Sequence, residues 1–104
     1  MLDEAFRALA EPRRRDILLL VQERELTAGE IASRFAVTRP AISQHLKVLT
    51  KAGLITLRRH GTRRLYRARP AGIQELSRYL EQFWDEKLFL LARAAEKEEQ
   101  RKRE

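Results

Sequence analysis

The chain reads, from residue 27 to residue 53, Thr27-Ala28-Gly29-Glu30-Ile31-Ala32-Ser33-Arg34-Phe35-Ala36-Val37-Thr38-Arg39-Pro40-Ala41-Ile42-Ser43-Gln44-His45-Leu46-Lys47-Val48-Leu49-Thr50-Lys51-Ala52-Gly53. Thr27 followed by Glu30 is a capping box: the hydroxyl accepts from the backbone N–H three residues on, and the carboxylate reaches back to the Thr27 N–H. A helix should start there, turn Ile31, Ala32 and Phe35 inward, and end near Ala36. Thr38 is a second N-cap candidate, and Pro40 suits the first turn of another helix that runs to about Ala52. Gly53 fits the left-handed position just past that helix end. Ile42, Leu46 and Leu49 recur at helical spacing as its buried stripe. Two amphipathic helices joined by only about two residues form a helix-turn-helix, whose second helix enters the major groove of DNA.

Upstream, Leu2, Ala5, Phe6 and Leu9 predict a short helix ending near Ala10, and Glu11 with Pro12 opens a second whose centre, Ile17 to Val21, reads as buried nearly all round. Downstream, Leu54 to Arg59 and Arg63 to Ala68 are β-like runs separated by His60-Gly61-Thr62, a hairpin that would make a wing. Pro70 and Gly72 break the pattern. From Ile73 onward, Leu76, Leu80, Phe83, Trp84, Leu88, Leu91 and Ala95 trace one long helix with an apolar stripe wider than a single packed neighbour needs. Residues 96–104 are polar and charged, a tail expected to fray. The expected fold is mainly α, a winged helix-turn-helix of order α-α-α-α-β-β-α, in one domain spanning the 104 residues.

The formal charge of +7 is concentrated in residues 38–69, which hold 9 basic groups and no acidic one, while the flanks are nearly balanced. An acid-free stretch of that length, interleaved with core-type residues, implies a folded surface with a positive field suited to a phosphate backbone. With Ile42, Leu46 and Leu49 inward, the helix presents Arg39, Ser43, Gln44 and Lys47, with His45 nearer its edge. Gln can pair bidentately with adenine and Arg with guanine, Ser suits donor or acceptor edges, and Lys47 is placed for a phosphate. Thr38 and Pro40, at the start of the helix, complete that set. Arg58, Arg59, His60, Arg63 and Arg64 crowd the hairpin tip. Their mutual repulsion is relieved when phosphates lie nearby, so the wing is expected to meet the DNA backbone or the minor groove. The plainer alternative is a hairpin whose charges only protect an edge strand.

Several classes are excluded. With no cysteine, there is no disulfide, thiol nucleophile or thiolate metal site. Ser43 and His45 are too close along a helix to form a nucleophile and base, and neither an evident carboxylate pair nor a phosphate-cradling glycine loop is present, so neither enzyme nor cofactor is expected. No apolar run could span a membrane and the N-terminus lacks a signal-peptide pattern, so a cytoplasmic protein is expected. RNA suits the inferred helix less well, and few exposed aromatics are available to stack bases. The competing reading is a winged helix that docks a protein through its C-terminal helix, for which the unopposed charges would have no use.

Ala8-Leu9-Ala10-Glu11-Pro12-Arg13-Arg14-Arg15-Asp16-Ile17-Leu18, Ser43-Gln44-His45-Leu46-Lys47-Val48-Leu49, Ala52-Gly53-Leu54-Ile55, and Arg58-Arg59-His60-Gly61 through Tyr66 together resemble the ArsR/SmtB family of bacterial transcription regulators. The resemblance implies a homodimeric winged-helix repressor whose first and last helices form the dimer interface, placing Leu2, Phe6, Leu9, Leu76, Leu80, Phe83, Trp84, Leu88 and Leu91 there. Two recognition helices about a two-fold axis would then read an inverted repeat with half-sites roughly 34 Å apart. Many relatives sense metals, and here the sequence departs from them. The cysteine-bearing motif would fall around Thr27 and Gly29, and no histidine follows His60 to build a C-terminal-helix site. Asp85 and Glu86 could supply only a weak, unselective site, so no metal effector is expected.

Overall fold

In the computed structural model, which describes residues 2–82 and 87–103, the elements run α1 (Leu2–Leu9), α2 (Pro12–Glu23), α3 (Ala28–Phe35), α4 (Arg39–Lys51), β1 (Ile55–His60), β2 (Arg63–Ala68), α5 (Pro70–Gln82) and α6 (Phe89–Arg103). They fall into two compact units, residues 1–73 and 74–104. The fold is mainly helical with one two-stranded antiparallel sheet, a winged helix-turn-helix. No helix among the described residues is long and apolar enough to cross a membrane.

The core of the first unit is built from Ala5 and Ala8 of α1, Ile17, Leu18 and Val21 of α2, Ile31 and Ala32 of α3, and Ile42, Leu46 and Leu49 of α4, all buried. Leu54, Ile55 and Leu65 close it from the wing. The capping box at α3 is formed as its sequence implies, with Glu30 N–H donating to Thr27 Oγ1 at 3.1 Å and Thr27 N–H to Glu30 Oε1 at 3.0 Å. The turn to α4 is Ala36-Val37-Thr38, one residue longer than expected. Ala36 takes a left-handed conformation, φ 52°, and closes α3 by donating its N–H to the Ala32 carbonyl.

Four readings are corrected. The apolar centre of α2 is one-sided: Leu19 is 61% exposed, because a helix packed on one flank cannot bury five successive residues. Leu54 lies outside the strand and His60 inside it, opposite Arg63, so the hairpin loop is only Gly61-Thr62. Gly61 has φ +63° while Thr62 does not enter the positive region, the signs of a type II′ turn with glycine first. The last helical run starts at Pro70, not Ile73: Pro70 and Gly72 form the first turn of α5, where proline's missing N–H costs nothing. Residues 96–103 are helical, not frayed. They are rich in good helix formers, Arg101 and Arg103 pair with Glu98 and Glu99, and basic residues at the C-terminus complement the helix dipole. One pairing had no clear local signal: Leu26, buried, exchanges backbone hydrogen bonds with Tyr66 at 3.1 and 2.8 Å and ties the α2–α3 connection to the wing.

Candidate nucleic-acid interface

Helix α4 starts on Thr38, whose Oγ1 accepts the Ala41 N–H at 3.3 Å, with Pro40 in its first turn. Because Ile42, Leu46 and Leu49 take the inward stripe, the 100° step per residue distributes the rest. Gln44 and Lys47 stand outermost and exposed. Arg39 and Ser43 lie toward the edge beside the wing, and both line a groove of about 380 Å³ together with Thr27, Ala28, Thr62, Arg63, Arg64 and Tyr66. His45 occupies the other edge. It is half-buried, and Arg14 of α2 points its Nη1 at His45 Nδ1 at 3.5 Å. The helix thus presents Ser43, Gln44 and Lys47 outward while His45 is turned to the protein.

The wing is divided by its register. Arg59 stands opposite Arg64, and Arg58 opposite Leu65 with His60 opposite Arg63, so the first pair occupies one face and the other two pairs the reverse. Arg58 forks onto Glu25, Nε to Oε2 at 2.9 Å and Nη2 to Oε1 at 3.1 Å, and Arg63 Nη2 reaches Glu30 Oε1 at 3.0 Å. The stretch without acids is therefore partly balanced in space by carboxylates from outside it. Arg59 and Arg64 form no ion pair among the described residues, although they face each other directly, a like-charge pairing that costs the hairpin a few tenths of a kcal/mol up to about 1.

Two further roles have no local signal in the sequence. Arg14 Nε donates to the Ala8 carbonyl at 2.6 Å and Arg15 Nη1 to the Leu9 carbonyl at 2.7 Å, so these side chains cap the end of α1 across the break at residues 10–11. Arg14 therefore touches both α1 and the recognition helix, a link that only tertiary packing creates.

His45 supplies a pH dependence with a definite sign. Burial, then the Arg14 charge, hold its pKa below the ordinary 6.5, so the folded state keeps the neutral ring that can accept from Arg14. The unfolded chain takes up a proton near 6.5; the folded chain resists it. Stability from this residue is whole above that value and lost as pH falls below it. Thermal midpoints should decline as pH falls through about 6.5, and His45→Gln should flatten that limb. Identical profiles for the two proteins would remove His45 as the cause. Glu25 is held below 4.5 chiefly by its hydrogen bond from Arg58, and Glu30 chiefly by the Thr27 backbone, so these two act at lower pH.

The residues expected at a dimer interface are placed unevenly. In the first unit Leu2 and Leu9 are half-buried and Phe6 is 38% exposed. In the second, Leu76 is buried within the chain and has little surface to offer a partner, Leu88 is half-buried, and Leu80 and Leu91 are exposed. Phe83 and Trp84 lie outside the described residues. Phe89 and Leu90, not singled out from the sequence, join Leu91 as exposed apolar residues at the start of α6, which buries no residue of its own. Among the described residues no group of three or more histidine, aspartate or glutamate side chains is placed to hold a metal ion; Asp85 and Glu86 lie outside them.

A family model for bacterial regulatory proteins of the arsR family matches residues 11–56. An HTH-type transcriptional regulator of Mycobacterium tuberculosis is 45% identical over 82 residues, covering 79% of this chain and 77% of that protein. The transcriptional repressor SdpR of Bacillus subtilis is 40% identical over 60 residues, 58% of this chain and 67% of the repressor. Among solved structures, the homodimeric winged helix-turn-helix DNA-binding domain Mb0332 of Mycobacterium bovis superposes with a TM-score of 0.67 at 31% identity, covering 81% of this chain and 78% of that one.

Proposed function

Because the chain belongs to the arsR family of bacterial regulatory proteins, whose members are transcriptional regulators and not enzymes, we propose that it is a sequence-specific duplex DNA-binding repressor acting as a homodimer on an inverted-repeat operator. The observation that carries this reading is the outward row of Ser43, Gln44 and Lys47 on α4 beside a groove lined by Arg39, Arg63 and Arg64. Ser43 and Gln44 would read base edges, Lys47 and the wing arginines would hold phosphates, and Thr38 and Pro40 would set the start of the helix against the backbone. His60, exposed near the wing tip, joins the phosphate-facing set. His45 would act by fixing α4 on α2 and not by touching DNA. Dimerisation is supported by the homodimeric structural neighbour and by the exposed Phe89, Leu90 and Leu91. Repression is supported by the similarity to SdpR and would follow where the operator overlaps a promoter.

The test is binding to the DNA upstream of the chain's own gene against a scrambled duplex, over rising salt. A clear preference for the upstream DNA is expected. Gln44→Ala should cost about 1–3 kcal/mol on the preferred sequence and little on the scrambled one, which narrows the gap. Lys47→Ala should weaken both equally and, with one Lys47 on each protomer, lower the salt slope by about 1.8. Equal affinity of the unaltered protein for the two duplexes would defeat the sequence-specific reading.

A further inference from the structure

Glu30 has two partners and one oxygen for both. Its Oε1 accepts the Thr27 N–H at 3.0 Å, closing the capping box of α3, and accepts Arg63 Nη2 of the wing at 3.0 Å. Arg63 lines the groove between α4 and the wing, whereas Glu30 does not. Arg63 thus holds the Glu30 carboxylate through Nη2 while lining the groove, and its Nε and Nη1 make no hydrogen bond among the described residues. The other groove-lining groups match a single anion: the guanidinium of Arg39 lies along Gly29 of α3, and Thr27, Ser43 and Thr62 add hydroxyls. The groove lining contains no acidic residue.

We propose that Glu30 is a positioning residue for DNA binding, bracing Arg63 from behind so that its free N–H groups meet one backbone phosphate seated in the groove between α4 and the wing. This rests on the DNA-binding function proposed above. An unbraced arginine at the tip of a hairpin samples many rotamers and loses that freedom on meeting a phosphate; an arginine already held by a fixed carboxylate has less to lose. Glu30 is suited to the task because its own position is set by the helix end it caps. The same brace couples the first helix of the helix-turn-helix to the wing, so a shift of either moves the seat of the phosphate.

Simple charge bookkeeping makes the opposite forecast, and this makes the proposal testable. Removing a negative charge beside a polyanion should tighten binding. The brace requires Glu30→Gln to weaken it, since the amide oxygen still serves the capping box but holds a guanidinium poorly. With a synthetic mixed-sequence duplex as the probe, the affinity of Glu30→Gln should fall about fivefold, the ordering cost of one long side chain. Arg63→Ala should lower the salt slope by about 0.9 per protomer, about 1.8 for the dimer, and adding Glu30→Gln to Arg63→Ala should produce no further fall. Thermal midpoints measured alongside separate loss of fold from loss of the brace. An equal or higher affinity for Glu30→Gln, or the same fall in the Arg63→Ala background, overturns the brace while leaving DNA binding intact. Failure of the unaltered protein to bind any duplex takes down both readings.

Discussion

Arg59→Glu should make the protein more stable and a far weaker DNA ligand. Arg59 and Arg64 face each other across the two strands and have no counter-ion among the described residues, so the free protein bears a repulsion of a few tenths of a kcal/mol up to about 1. A glutamate at 59 turns that repulsion into a cross-strand attraction, and the thermal midpoint should rise by several degrees, at about 4–8 °C per kcal/mol for a domain of this size. If Arg59 meets a phosphate as proposed, the change would remove one charge-assisted contact worth about 1.5–3 kcal/mol and set a carboxylate beside the backbone. Together these amount to about 100-fold in affinity, at 1.4 kcal/mol per tenfold. The measurement is a pair: thermal unfolding at fixed protein concentration, and duplex binding at one salt concentration. A higher midpoint with unchanged affinity would mean the wing arginines serve only to keep an edge strand solvated. That would leave α4 to bind without them.

Which parts of this were legible in the sequence depends on how local the determining physics is. The helix-turn-helix needed only caps and a stripe: Thr27 with Glu30, Thr38 with Ala41, and Ile42, Leu46 and Leu49 all behave as spacing implies. The hairpin was visible but displaced by a residue, since His60 is polar enough to suggest a loop while its backbone still pairs with Arg63. Pro70 and Gly72 hid the true start of α5, which spacing put at Ile73, for a related reason. Both are breakers inside a helix and acceptable in a first turn, and spacing alone does not say which applies. The charge anomaly of residues 38–69 overstated the local field, because Glu25 and Glu30 approach Arg58 and Arg63 only in the folded chain. The same holds for His45. Helical spacing places it at the edge of the outward face, near DNA or the core, and packing turns it toward Arg14.

Gly72→Ala is the substitution expected to cost the fold most, and the reason lies two elements away. Gly72 is buried in the first turn of α5, and a Cβ built there would run into the backbone carbonyl oxygen of Gly53. That carbonyl cannot easily withdraw. Gly53 holds φ +77° at the end of α4, Arg69 Nη1 donates to its oxygen at 3.3 Å, and Arg69 N–H is fixed on the Leu54 carbonyl at 2.8 Å. Two effects oppose each other. Alanine favours a helix over glycine by about 1 kcal/mol, whereas forcing a methyl against rigid backbone costs about 3 kcal/mol. The steric term wins, leaving a net loss of about 2 kcal/mol and a drop in thermal midpoint of about 10 °C. Gly61→Ala is the comparison, because nothing lies within 4 Å of a Cβ at the wing turn. There only the positive φ is penalised, by about 1 kcal/mol. A midpoint for Gly72→Ala at or above that of the unaltered protein would show that helix propensity governs this turn and that α5 can lift off the α4–β1 junction freely. A larger loss at residue 72 than at 61 would instead locate the constraint in the contact between the two glycine backbones.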